Sequence, residues 1–343
     1  MEFYKGANQF QTLVYQSMSE YNLQRGITKF GCSSKGRIYP HLLPEGSKDN
    51  FFDDIYDKVE ERLHYLKQQK KLNRKQEIRT LTNTVASQPV CFNLLVPLQQ
   101  NRDLANAVFS DLMKQDVIID SLEIEYTPAF EESLGDQQAG RGTDADVGVF
   151  YHTQAAKQGV LLIEFKYIEP AFSLCQSYDK KQLIKKMCDS EDFYHELIVN
   201  KKRDDHHSYL CGYLKYNNWD LLDQSDYIDV EKVRNLGYCP FRFSLQQLWR
   251  NMLLAEQIKR ARNLDECKFW VLSPAGNTCL WSNHNEDVKT AFTNLLTELG
   301  KQSFRAFTLE DMVDVIAGLV ERKDGLQSWI KMFEERYLFY RIK

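Results

Sequence analysis

The stretch Gly142 to Tyr167, GTDADVGVFYHTQAAKQGVLLIEFKY, decides the fold of this chain. It holds two short apolar runs, Val147 to Tyr151 and Val160 to Phe165, on either side of the polar segment Thr153 to Gly159. Short apolar runs joined by a polar segment are typical of a β-hairpin with a longer loop. The sequence therefore predicts a hairpin here.

The symmetry of this hairpin decides which side chains meet. If it folds about Ala155 without a bulge, Asp146 faces Glu164 and Asp144 faces Lys166. Because side chains alternate along a strand, these four residues share one face. The other face carries apolar residues, namely Val147, Val149, Leu161, Ile163 and Phe165. We expect the acids and the lysine to cluster opposite the core.

Two opposed carboxylates repel each other unless a cation lies between them, because their Cβ atoms are roughly 4.5 to 5.5 Å apart. Carboxylate oxygens suit Mg²⁺, with Mn²⁺ as a substitute, and water and phosphate fill the remaining positions. Lys166 would point at the same water or phosphate, and could orient or deprotonate the water or stabilise charge on the phosphate. The alternative is a solvated strand face without chemistry.

The order of Asp146, seventeen intervening residues and Glu164-Phe165-Lys166 resembles the PD-(D/E)xK phosphodiesterase superfamily. Three segments are also similar to a prokaryotic restriction-endonuclease-like family within it. They are SQPVCFNLLVPL (Ser87 to Leu98), IEFKYIEP (Ile163 to Pro170) and LQQLWRNMLLAE (Leu245 to Glu256). This resemblance covers about Ser87 to Ser273. No proline precedes Asp146, a departure that many superfamily members share.

The resemblance implies an α/β fold with a restriction-endonuclease-like core of helix, three-stranded hairpin sheet, helix and strand, plus helical additions at both ends. It implies Mg²⁺-dependent hydrolysis of DNA in prokaryotic defence or restriction, with Asp146 and Glu164 as metal ligands and Lys166 positioning the water. Two alternatives stay open. One is an RNase or structure-selective nickase of the same fold, and the other is a nucleic-acid-binding or assembly subunit that does not cleave.

Further residues extend the predicted site. Glu125 is a candidate accessory metal ligand, because its strand leads toward the hairpin, and an exposed strand acid is the alternative. Asp144 could also bind metal or only cap the turn.

Two groups of residues are candidates for phosphate contacts. Gln247 and Arg250 lie near the N-terminus of a strongly amphipathic helix predicted over Leu245 to Arg262, a favourable place for a phosphate. Lys70, Lys71 and Arg74 belong to the densest basic stretch, Lys67 to Arg79. A solvated helix end or linker is the alternative interpretation of that stretch.

The remaining segments predict the domain boundaries. Residues 1–86 form an N-terminal extension, 87–283 the nuclease core with a helical insertion at 171–243, and 284–343 a C-terminal helical extension. The insertion carries basic clusters interleaved with aromatics, which could grip nucleic acid or form a helical cap with a wet surface. In the C-terminal extension, Thr308 and Asp311 predict a capping box.

Composition limits the remaining possibilities. The chain of 343 residues is 43% hydrophobic with a net charge of −4, which indicates a globular protein with any DNA-binding face confined to a local patch. Its eight cysteines form no CxxC pair, so free thiols are expected. We expect a cytoplasmic protein without membrane contact, and a homo-oligomer is possible. Since no Walker loop occurs, an ATPase or sensor would be a separate subunit.

Overall fold

A five-stranded mixed sheet in the order β1-β2-β3-β4-β7 organises the fold. The computed structural model describes residues 6–33, 35–52, 54–136, 142–175, 178, 182–193, 217–283, 286–320 and 326–341. The first three strands pair antiparallel, whereas β3 with β4 and β4 with β7 pair parallel. The five strands are β1 Val117–Tyr126, β2 Ala145–Thr153, β3 Gln158–Phe165, β4 Glu266–Ser273 and β7 Phe304–Thr308; a separate two-stranded sheet pairs β5 Ser282–Asn283 with β6 Glu286–Asp287.

Helices cover the sheet, and in the chain some precede its first strand while the others lie between or after its strands. In chain order they are α1 Gln9–Gln24, α2 Tyr56–Gln68, α3 Arg74–Thr82, α4 Ser87–Gln100, α5 Arg102–Met113, α6 Gln182–Cys188, α7 Asn218–Asp223, α8 Val230–Arg234, α9 Leu245–Ala261, α10 Val288–Asn294, α11 Glu298–Ser303, α12 Leu309–Val320 and α13 Gln327–Tyr337. In the described part of the chain, no helix is both long and apolar enough to cross a membrane.

The hairpin of β2 and β3 has the predicted register. Val147 pairs with Ile163 and Gly148 with Leu162, as symmetry about Ala155 requires. Continuing this register by one residue places Asp146 opposite Glu164. The local pattern therefore fixed the position of the two acids relative to each other.

Both faces of the sheet are buried, which corrects the expectation that the acids lie on a face opposite the core. On one face, Val147 and Ile163 pack in a core with helices α4, α5 and α12. On the other, Phe150 and Leu162 pack with Trp249 of α9 in a second core. The acids lie at the end of this second face. Burial on both faces is what parallel pairing with β4 and β7 requires.

Three further expectations about the fold need correction. The sheet has five strands, not three plus one, and β7 comes from the C-terminal part expected to add only helices. Helical spacing of apolar residues from Phe52 to Leu66 predicts a helix capped by Asp49 or Asn50, but helix α2 begins at Tyr56 with Ile55 as its cap. Alternation along strand β1 predicts that Ile124 and Tyr126 share one face, but they pack in different cores. Glu125 between them has a left-handed backbone with φ of 56°, which reverses the alternation of side chains.

The predicted domain boundaries stay a prediction. Much of the insertion 171–243, including the basic and aromatic residues of 194–216, lies outside the described residues. The capping box predicted at the start of α12 is present, since Thr308 Oγ1 accepts from the Asp311 amide at 3.0 Å and Asp311 Oδ2 accepts from the Thr308 amide at 3.2 Å.

Candidate active site

Three carboxylates lie in one row across the ends of three adjacent strands. Ile124 pairs with Val147 and Tyr126 pairs with Ala145. Glu125 of β1, which lies between Ile124 and Tyr126, is therefore opposite Asp146 of β2. The hairpin register then places Glu164 of β3 on the other side of Asp146. The sheet itself thus brings these three acids together from distant parts of the chain.

Glu164 is buried, with 4% of its surface exposed, and both of its oxygens have partners. Oε1 lies 2.8 Å from Lys166 Nζ and accepts a hydrogen bond from Gln247 Nε2 at 2.5 Å. Oε2 accepts from Asn251 Nδ2 at 2.6 Å. Helix α9 supplies both amides, because residues four apart lie on the same helix face. The helix therefore fixes the orientation of this carboxylate.

At the end of the hairpin, the Asp146 side chain replaces a backbone carbonyl as a hydrogen-bond acceptor. Its Oδ2 accepts from the backbone N–H of Phe165 at 2.7 Å. Burial, followed by repulsion from Glu164 and Glu125, raises the pKa of Asp146 well above its usual value, although Lys166 and the Phe165 N–H oppose that rise. The charged form of Asp146 therefore needs a nearby cation.

The pKa of Glu125 is raised as well. Burial raises its pKa from 4.5 to about 7; a hydrogen bond from Gln88 opposes the rise, and the charges of Asp144 and Glu164 add to it. One oxygen, Oε1, is buried without a hydrogen-bond partner. A buried polar atom without a partner is costly, so a cation or a water bound here would relieve it.

Lys166 keeps its proton at neutral pH. Burial by itself lowers the pKa of this ammonium, but the carboxylates of Glu164, Asp146 and Glu169 together outweigh burial and raise it. Lys166 is therefore a fixed positive charge and hydrogen-bond donor beside the acids.

The predicted residues of the basic stretch have different surroundings. Lys71 Nζ lies 3.2 Å from Asp144 Oδ1, which brings one residue of the basic stretch to the entrance of the hairpin. Lys70 is exposed in the turn after α2, and Arg74 lies 3.2 Å from Glu45 at the surface.

The two residues of helix α9 that were predicted to bind phosphate contact other groups. Gln247 holds Glu164 and also accepts from the Ser173 amide at 3.0 Å. Arg250 donates to Thr143 and lies 3.4 Å from Asp136. Phosphate binding by either residue stays a prediction.

No prediction from the sequence included Asn251, Gln88 or Arg62, whose Nη2 donates to the Glu125 carbonyl at 2.8 Å. The spacing of Gln247 and Asn251, four residues apart on one amphipathic helix, was a signal for a shared target. Gln88 and Arg62 gave no such signal, because they come from helices far from the hairpin in the chain.

A divalent cation fits part of this arrangement. Among the described residues, no three or more His, Cys, Asp or Glu side chains form a group that could hold a metal ion by itself. Magnesium, however, is commonly held by one or two carboxylates with water and phosphate. Glu125 Oε1 lacks a hydrogen-bond partner, and burial together with repulsion from the other acids raises the pKa of its neighbour Asp146. Both observations match the chemistry of a hard cation.

Comparison with known proteins gave one kind of match. The family model described as Restriction Endonuclease associating with ARP matches residues 29–338, which is far more than half of the chain. No curated protein and no solved structure matches the chain.

Proposed function

The chain belongs to the family Restriction Endonuclease associating with ARP, and on that premise we propose that it is a metal-dependent nuclease of the PD-(D/E)xK type that hydrolyses DNA phosphodiester bonds. The row of Glu125, Asp146 and Glu164 at the end of the sheet, with Lys166 2.8 Å from Glu164, carries the proposal. A cluster of three acids and one lysine, with Glu164 buried and the others half-buried, is costly to a protein that makes no use of it.

Asp146 and Glu164 would hold Mg²⁺ together with water and phosphate, with Glu125 as an accessory ligand, and Mn²⁺ could substitute. Asp144 lies close enough to influence the charge of Glu125. When bound, the metal polarises the scissile phosphate and lowers the pKa of the attacking water. The amides of Gln247 and Asn251 orient Glu164. Hydrogen bonds of this kind, made to a carboxylate that binds metal, fix the geometry of a metal site.

Lys166 acts as a donor in this proposal. In the metal-free site the neighbouring carboxylates raise the pKa of its ammonium, which favours the charged, donating form. Lys166 orients the water and stabilises negative charge on the phosphate oxygens. Lys71, held beside Asp144, would bind the DNA backbone next to the site, with Lys70 and Arg74 further out.

A second candidate function is a nucleic-acid-binding or assembly subunit that does not cleave. One observation favours it, namely that Glu164 has partners on both oxygens and Asp146 on one. The family description names association with ARP, in keeping with an activity that depends on a separate partner subunit.

The family description also names a restriction endonuclease, and on that basis we propose a role in restriction or defence.

The test incubates the purified protein with plasmid DNA, linear DNA and RNA in Mg²⁺, Mn²⁺ or EDTA. Lys166→Ala should abolish a metal-dependent cleavage that the wild type shows. Lys157→Ala is the matched control, because Lys157 is an exposed lysine at the opposite end of the same hairpin and should keep full activity.

Each outcome has a distinct meaning. Cleavage of RNA alone would replace DNA as the proposed substrate. Equal cleavage by wild type and Lys166→Ala would show that another site or a contaminant acts. If the wild type binds Mn²⁺ and DNA but cuts nothing, alone or with its partner, the non-cleaving subunit is the correct interpretation.

A further inference from the structure

The backbone of Glu125 has an uncommon conformation. Its φ of 56° lies in the left-handed region, which side-chain-bearing residues rarely adopt within a strand. Because of it, Ile124 packs in one core and Tyr126 in the other. The reversal occurs at the residue opposite Asp146, so it decides where the Glu125 carboxylate points.

Arg62 of helix α2 contacts this reversal directly. Its Nε donates to the carbonyl of Ile124 and its Nη2 to the carbonyl of Glu125, each at 2.8 Å. A guanidinium is a planar fork of donors, so two consecutive carbonyls in fixed directions suit it. Nη2 also lies 3.7 Å from Glu123, and the Arg62 side chain is 21% exposed.

Strand β1 forms an edge of the sheet, and side chains from the helices also bind its carbonyls elsewhere. Gln99 donates to Leu122 at 2.8 Å, and Arg102 donates to Asp120. Those contacts cover the exposed edge at Leu122 and at Asp120, where the register with β2 shifts, and neither residue has a left-handed backbone. Arg62 differs because the carbonyls it binds belong to the left-handed residue and its neighbour.

We propose that Arg62 is a positioning residue that holds the left-handed backbone of Glu125 and so aims its carboxylate at the metal-binding row. The inference rests on the proposed function. It gives the N-terminal extension a role in the active site, because α2 lies outside the segment that resembles the nuclease core. Without the guanidinium, Glu125 relaxes toward an ordinary strand conformation, and its carboxylate leaves the row.

Binding of Mn²⁺, followed by the electron paramagnetic resonance signal of the free ion, tests this without relying on cleavage. The proteins are wild type, Arg62→Gln, Glu125→Gln, the double variant and the control Arg102→Gln. Arg102→Gln also removes an arginine that donates to a carbonyl of β1, but that carbonyl belongs to Asp120. Circular dichroism and thermal melting establish that each variant is folded.

We expect Arg62→Gln to weaken Mn²⁺ binding by about 10-fold or more, the usual effect of removing an outer contact of a metal site. Arg102→Gln should bind Mn²⁺ as the wild type does. Since Arg62 acts through Glu125, the double variant should bind no more weakly than Glu125→Gln alone.

Two results would overturn the inference while leaving the nuclease proposal intact. One is wild-type Mn²⁺ affinity in Arg62→Gln. The other is a double variant whose loss is the product of the two single losses. If the wild type itself binds no Mn²⁺, the metal site of the proposed function is wrong, and this inference is wrong with it.

Discussion

Replacing Glu125 by glutamine removes one charge from the acidic row and keeps the shape of the side chain. Its pKa is raised from 4.5 to about 7, first by burial and also by the nearby Asp144 and Glu164. A group with a raised folded-state pKa stabilises the fold below its unfolded pKa, and that contribution is lost as the pH rises through the folded value. The wild type should therefore lose stability between about pH 4.5 and pH 7 when no metal is present.

The size of the effect follows from the shift. Each pKa unit corresponds to about 1.4 kcal/mol, so Glu125 costs the metal-free wild type about 3 kcal/mol above pH 7. Glutamine does not titrate. We expect Glu125→Gln to be more stable than the wild type by about 2 to 3 kcal/mol at pH 8, with little difference at pH 4.5.

Urea unfolding in EDTA, followed by circular dichroism at several pH values, measures this difference. Glu131→Gln is the control, since Glu131 is an exposed glutamate six residues further along the chain, and it should change stability by less than about 0.5 kcal/mol. The reasoning is refuted if the difference between Glu125→Gln and the wild type does not change with pH. It is also refuted if the variant is the less stable protein at pH 8.

Two further predictions concern the helix behind the site and a tightly packed glycine. Asn251→Leu leaves Glu164 Oε2 buried without its 2.6 Å donor, so we expect a loss of about 1 to 3 kcal/mol in urea unfolding and slower cleavage. Gln257→Leu removes an amide donor to the carbonyl of Glu131 in a short 3-10 helix and should leave cleavage unchanged; equal effects on cleavage would contradict the role of Asn251. A Cβ at Gly300 would lie 2.0 Å from the Tyr227 carbonyl oxygen, so Gly300→Ala should destabilise by about 1 to 3 kcal/mol. Gly318 lies in a helix with open space around the new methyl group, so Gly318→Ala should stabilise the protein by about 0.5 to 1 kcal/mol. A shift of the melting temperature in the same direction for both glycine variants would contradict the packing argument.

Local patterns predicted much of the hairpin and of the helices. The two apolar runs around Ala155 gave the register that pairs Val147 with Ile163. The apolar stripe of Leu245 to Arg262 gave helix α9, which ends at Ala261. These succeeded because alternation and helical periodicity are properties of neighbouring residues, and a hairpin joins strands that are adjacent in the chain.

Other features depended on residues that are far apart in the chain. Strand β7 has only five residues between two helices, and it becomes a strand because β4 offers a parallel edge. The left-handed backbone of Glu125 occurs where Ile124 and Tyr126 pack in different cores and where Arg62 of a distant helix donates to the Glu125 carbonyl. No local signal marks either feature.

By itself, the sequence determined that Asp146, Glu164 and Lys166 would lie together, since a hairpin register needs only local alternation. Only the tertiary structure decided that Glu125 completes the row and that Gln247 and Asn251 hold Glu164. It also decided that burial and repulsion raise the pKa of Asp146 and that the neighbouring carboxylates raise the pKa of Lys166. The physical reason is that burial, charge repulsion and side-chain hydrogen bonds depend on which distant segments pack together, and the spacing of residues in one segment carries no information about that.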